Sequence, residues 1–305
     1  ISPMSFEPDD DPLRSSSTEH YSKVGSLLDW AIVLGASSSI FFGFFLDITL
    51  NPPSYFQLFD NLVLLAALYA VTTATAMFIM PVVHHMIHYH KFDVEKYLLA
   101  TKKHTLLGII CVMLAMYLGL GLSLNSKVPT EIAYGLALLP FMIIFIRFYR
   151  HLPSNLVEST STEDYDRVGA GMRWCQILAA ASSIFFGFLL NITVSQPVYF
   201  QLLDNIVLLA SLYAVAAATV MFIMPVIYHS NHYPRFDVAK FLLVTKEYVT
   251  IGIICVMLAM YLGLGLSLNS KVPTDVAYGA ASLPFVTIFV WFLRNKSKIT
   301  TNRTT

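Results

Sequence analysis

Apolar residues in this chain come in long unbroken runs rather than in the three-and-four rhythm of a surface helix. The runs fall at about 30–49, 62–83, 105–124 and 132–149, then at 174–194, 206–228, 249–268 and 276–293. Their lengths of about 18–23 residues match a hydrocarbon core of ~30 Å at ~1.5 Å per residue. Lipid offers a backbone N–H or C=O no partner, so each run predicts a helix that pairs its own groups. The expected fold class is an all-α membrane protein with eight transmembrane helices, arranged as two tandem four-helix bundles in the same orientation.

The tandem arrangement follows from an offset of 144 residues. The stretch Gly108–Thr130 recurs letter for letter as Gly252–Thr274. Ser38-Ser39-Ile40-Phe41-Phe42-Gly43-Phe44 returns as Ser182-Ser183-Ile184-Phe185-Phe186-Gly187-Phe188, and Asp60-Asn61 as Asp204-Asn205. A repeat of this kind has to be recognised before a fold is assigned. The expected divisions are a disordered tail over 1–24, a first four-helix repeat over 25–152, an acidic linker over 153–171, a second repeat over 172–295 and a second tail over 296–305. Four spans return each repeat to its starting side, which predicts a pseudo-two-fold axis along the membrane normal.

Charge sets the orientation. With the tails and the even-numbered loops on one side, that side holds 17 of the 19 Lys and Arg residues, and the other side only Lys127 and Lys271. A bias of that size places both termini in the cytoplasm, most simply across a cell membrane. The formal net charge is zero, so a nucleic-acid partner has no electrostatic support. Only 12% of residues are charged and 56% are hydrophobic, about half the charge of a typical soluble domain. Cys111, Cys175 and Cys255 show no paired spacing and read as small apolar residues.

Without a hydrophobic drive between helices in lipid, close backbone approach has to hold the bundle. Small residues at fourth positions supply it: Gly35, Ser39 and Gly43, with Ala179, Ser183 and Gly187; Ala115, Gly119 and Ser123, with Ala259, Gly263 and Ser267. Pro140 and Pro284 interrupt the fourth and eighth spans and predict kinks there.

Candidate chemistry is sparse. His85/His88 and His229/His232 recur three residues apart at the cytoplasmic end of the second and sixth spans. Each pair falls on one helix face, and Asp93 or Asp237 across the turn is a third donor. Imidazole with carboxylate suits zinc or iron, the only cofactors this sequence suggests. Asp47, Asp60 and Asp204 mark the outer ends of spans, where a carboxylate either caps a helix start or lines a cation vestibule. No Asp, Glu, Lys, Arg or His falls mid-span, which disfavours a proton-coupled carrier. No nucleophile motif, P-loop or dinucleotide fingerprint is present.

Each repeat orders a GF(F/L)L segment, a Phe-Gln-Leu loop, V-L-L-A-x-L-Y-A-V, M-P-V and G-I-I-x-V-M-L-A-M. This order resembles an uncharacterised family of small four-span prokaryotic membrane proteins with an alanine-rich second span and a P-V-x-x-H ending. Here that ending is Pro81-Val82-Val83-His84-His85 and Pro225-Val226-Ile227-Tyr228-His229, with the histidine shifted by one in the second copy. The resemblance implies a four-span unit and no particular activity. Three functions stay open: a non-catalytic scaffold or accessory subunit working with other membrane subunits or with itself, a channel or facilitator for a small solute, and a metal or redox site at the histidines.

Overall fold

The computed structural model describes residues 12–88, 94–125, 127–151, 162–195, 201–232, 238–269 and 271–301; the side chains it describes begin at Ala31 and leave out, among others, those of 84–88, 230–232 and 291–301. The described residues form eight helices: α1 (Pro12–Leu50), α2 (Leu58–His88), α3 (Val94–Asn125), α4 (Thr130–His151), α5 (Thr162–Val194), α6 (Leu202–His232), α7 (Val238–Asn269) and α8 (Thr274–Thr301). The protein is all-helical over these residues. Seven helices carry a described stretch long and apolar enough to cross a membrane: Ala31–Leu50, Leu58–Val83, Leu99–Asn125, Thr130–Arg147, Gly171–Val194, Leu202–His229 and Phe241–Asn269. The apolar run expected over 276–293 in α8 continues past the described side chains of that helix.

The helices outlast the apolar runs that predict them. α1 begins at Pro12, inside the stretch whose polarity predicts a tail, α5 begins at Thr162, inside the expected linker, and α8 continues to Thr301. A helix pairs its backbone without needing burial, so it continues beyond the lipid-compatible part until something stops it. Pro52 and Pro53 stop α1, and Asn51 N–H makes a last bond to Asp47 O at 3.0 Å. At the α3–α4 turn the N–H groups of Lys127 and Val128 both reach Leu124 O, and the α7–α8 turn repeats this with Lys271, Val272 and Leu268. Pro81, Pro140, Pro225 and Pro284 all lie inside helices.

Neighbours in sequence are neighbours in space: α1 packs on α2, α2 on α3 and α3 on α4, while α5 packs on α6, α6 on α7 and α7 on α8. The halves meet through α1 on α5, α3 on α5 and α6, and α4 on α6. Phe41 and Phe45 of α1 form edge-on ring contacts at the centre, and Phe41 also meets Phe186 of α5 at 5.8 Å.

That set of contacts departs from the expected two-fold axis. Such an axis would return α3 on α6 as α7 on α2, yet no comparable packing joins α7 or α8 to α1 or α2 among the described residues. Two identical segments consequently end in opposite surroundings. Met116 is 0% exposed, and Met260, in the same local sequence, is 52% exposed. Met224 on α6 is 0% exposed, against 49% for Met80 on α2.

Candidate functional site: the carboxylate junctions and the seam

The most elaborate polar arrangement occurs twice, once in each half. Asp60, in the first turn of α2, is buried, and its Oδ2 accepts the Gln57 backbone N–H at 2.9 Å. Its Oδ1 accepts Asn125 Nδ2 at 2.5 Å, and Thr130 Oγ1 donates to Asn125 Oδ1 at 2.7 Å. In the second half Asp204 accepts from Gln201 N–H and Asn269 Nδ2, both at 2.9 Å, and Thr274 donates to Asn269 Oδ1 at 2.8 Å. One carboxylate thus ties the start of α2 to the end of α3, and through the amide to the start of α4. The reach back to Gln57 is half of a capping box, and the negative charge complements the positive end of the helix.

Beside each junction a tyrosine ring lies over a glycine. A Cβ on Gly121 would fall inside the Tyr134 ring, and one on Gly265 inside the Tyr278 ring. Both phenol oxygens are buried and have no hydrogen-bond partner among the described residues. Asp47 stands apart at the seam: it accepts Asn51 Nδ2 at 3.3 Å and, from α5, Asn191 Nδ2 at 3.0 Å. Two more polar contacts cross the seam. Tyr55 donates its hydroxyl to Val194 O at 2.6 Å, and Arg147 pairs with Glu247 at 2.9 Å on the exposed surface.

The serine and threonine hydroxyls in mid-span are engaged locally, while those of Thr105 and Thr245, nearer the span ends, are buried without a hydrogen-bond partner among the described residues. Thr75 Oγ1 lies 3.0 Å from Ser38 Oγ, and Thr219 Oγ1 lies 2.9 Å from Ser182 Oγ. Ser37, Ser38, Ser182 and Ser183 each donate to a carbonyl three residues back in their own helix. A cavity of about 10 Å³ between α1, α2, α3, α5 and α6 is lined by Ser37, Ser183, Thr219 and apolar side chains. That space suits one water molecule at most.

At the other end of the spans the histidine set falls largely outside the described residues: the side chains of His85, His88 and His232, and all of Asp93 and Asp237. The described His229 packs against Phe241 with ring centroids 6.1 Å apart, and Phe241 stacks on Tyr228. Among the described residues no group of three or more His, Cys, Asp or Glu side chains is placed to hold a metal. Nearby, Tyr97 is buried and donates to Pro81 O at 3.0 Å. Phe241 takes the corresponding place in the second half and has no hydroxyl. Burial raises the Tyr97 phenol above its ordinary value of 10.0, partly offset by a hydrogen bond with Thr101. Tyr97→Phe should therefore cost about 1 kcal/mol in unfolding free energy. That difference between wild type and variant should hold below about pH 10, where unfolded tyrosine is neutral, and shrink as the pH climbs through the raised value and the wild type alone loses its proton. Denaturant titrations of both proteins at neutral and alkaline pH check it.

The small residues divide into packed and open positions. Ala115, Ala179 and Ala259 are buried, as are Ser123 and Ser183, while Ser39 and Ser267 are exposed. A Cβ on Gly35 would stand 3.7 Å from Phe78 Cβ, an ordinary contact. A Cβ on Gly119 would come within 2.7 Å of Leu190, and one on Gly187 within 2.6 Å of Phe44, both across the seam. Their counterparts Gly263 and Gly43 have nothing within 4 Å.

The sequence stripes leave out Gly108 and Gly252, where a Cβ would come within 2.5 Å of the Phe78 and Phe222 rings. They also leave out Gly121, Gly265, Asn125 and Asn269. For the asparagines a signal was present, since a lone amide closes each copy of an otherwise apolar run.

Residues 161–295, less than half of the chain, match a family of unknown function (DUF6328). No curated protein and no solved structure matches the chain.

Proposed function

We propose that this protein is a non-catalytic integral membrane scaffold or accessory subunit, built as two four-span units inserted in the same orientation with both termini in the cytoplasm. The observation that carries the reading is how the polar groups inside the spans are used. The Asp, Glu, Lys, Arg and His side chains of the seven candidate spans gather near the span ends, and the mid-span serine and threonine hydroxyls bond to their own helices or to each other. Polar groups satisfied in this way hold helices together and present little to a passing solute. The Lys and Arg bias supports the orientation. The family match, confined to residues 161–295, supports a second half that is a unit in its own right.

Flux and partner recovery test the proposal. Purified protein in liposomes should leave the permeability to glycerol, urea, potassium and protons at the level of empty vesicles. Mild solubilisation of native membranes should recover the protein in a particle larger than one chain. Solute flux above the empty-vesicle level that falls on Ser183→Leu, which narrows the central cavity, would establish the facilitator instead.

A further inference from the structure

We propose that copies of this chain associate head to tail, the α7/α8 face of one copy docking on the α1/α2 face of the next. This repeats between chains the contact that the first half makes with the second half inside one chain. The proposal goes beyond the scaffold reading and stands whether or not other subunits bind.

The internal seam joins two different faces. One is presented by α1, α3 and α4, the other by α5 and α6. Residues 144 apart are largely the same, so the chain carries each face twice: α7 and α8, with the Phe188 side of α5, duplicate the first, and α2, with the Gly43 side of α1, duplicates the second. Inside one chain α1 and α5 pack on each other, while the second copy of each face stays open at Gly43, Ile79 and Met80 and at Ile253, Met260 and Gly263. A contact between unlike faces leaves one of each at the ends, which is the condition for heterologous assembly into a ring or a line.

The unused faces are bare at the matching positions. On α7, Ile253, Met260 and Leu264 are exposed, where Ile109, Met116 and Leu120 of α3 are buried. On α2, Ile79 and Met80 are exposed, where Ile223 and Met224 of α6 are buried. Shifting the seam contacts by 144 residues names the new ones. Leu190 against Gly119 becomes Leu46 of the next copy against Gly263. Phe44 against Gly187 becomes Phe188 against Gly43 of the next copy. Phe188 is 50% exposed, and neither Gly43 nor Gly263 has an atom within 4 Å of where a Cβ would stand, so both clefts are open. Exposed apolar surface alone would be lipid-facing in a membrane. Here the same side chains, in the same local sequence, already exclude lipid at the other copy of the contact. Among the polar contacts, Arg147 and Glu247 correspond to Trp291 and Lys103, so the contact between chains lacks that ion pair. An exposed pair adds little, and the remaining apolar contacts carry over.

The test uses the full chain with its three cysteines replaced by alanine. Two differently tagged populations, Leu46→Cys and Gly263→Cys, are mixed in native-lipid nanodiscs and oxidised. The expected product is a mixed-tag cross-linked pair, several-fold above that from Leu46→Cys mixed with Ile143→Cys. Gly43→Leu, which fills an open cleft, should weaken association of the cysteine-containing chain at least tenfold in mass photometry and leave its unfolding midpoint unchanged. A single-chain mass in nanodiscs and in mild detergent, with the 46–263 cross-link at the control level, would overturn the proposal and leave lipid as the cover of both faces. A dominant 263–263 cross-link would overturn it too, by showing a two-fold contact.

Discussion

Replacing Phe78 by alanine should lower the unfolding free energy by about 2–3 kcal/mol, and Phe222→Ala should do the same. Both rings are essentially fully buried. Each occupies the room left by a missing Cβ on the facing helix, Gly108 for Phe78 and Gly252 for Phe222. In water a Phe→Ala change of this kind costs about 3–5 kcal/mol, combining lost transfer energy with the cavity left behind. In a bilayer the separated helices face lipid, which is as apolar as the core, so most of the transfer part cancels. Lost dispersion contacts and the cavity remain, hence the lower figure. Gly108→Leu alone should also destabilise, because a Cβ cannot be placed 2.5 Å from the ring without moving a side chain packed on all sides. Together the two changes should be less harmful than their sum, since the leucine refills part of the vacated space. Equilibrium unfolding in mixed micelles, with the four proteins of the cycle compared, reads the coupling directly. Strict additivity would mean that the ring and the glycine do not share one space.

Much of the helical architecture is legible in the sequence, because lipid leaves a spanning segment so few ways to satisfy its backbone. Run length alone locates seven spans and the outer turns between them. The helix ends toward residues 12, 162 and 301 are not legible by that route, since hydropathy reports what lipid tolerates and not where a helical backbone stops. The docking of the two halves is beyond sequence reading for a stronger reason. Gly108–Thr130 and Gly252–Thr274 are the same string, so no property of either can say that Met116 is covered while Met260 is bare. What distinguishes them is the packing around each: α3 meets α5 and α6, and α7 has no comparable packing on the first half among the described residues. Small-residue spacing behaves similarly. It finds Gly119 and Gly187 at the seam, and it finds Gly43 and Gly263, where the clefts stand open. It overlooks Gly108 and Gly121, whose aromatic neighbours come from other helices and leave no period in their own.

The Asp60 and Asp204 junctions should be the other sensitive points. Asp60→Ala is expected to cost about 3 kcal/mol, at the upper end for lost hydrogen bonds to a charged group, and Asp204→Ala about as much. The carboxylate is buried and uses one oxygen for the Gln57 N–H and the other for the Asn125 amide. Its removal leaves a half-buried amide donor facing apolar surroundings, and that desolvation is the larger part of the loss. Asp60→Asn keeps an acceptor for one donor and should cost about 1 kcal/mol. Asn125→Ala in the Asp60→Ala background should cost less than in the wild type by about 1 kcal/mol or more, because the stranded donor goes with it. A cation-binding role for the same carboxylate predicts a different outcome. Calcium or sodium would then raise the unfolding midpoint of the wild type and not that of Asp60→Asn. Because both carboxylate oxygens already accept strong donors, the expected result is the same midpoint with and without added cation, and loss of amide-exchange protection in Asp60→Ala confined to the first turn of α2 and the end of α3.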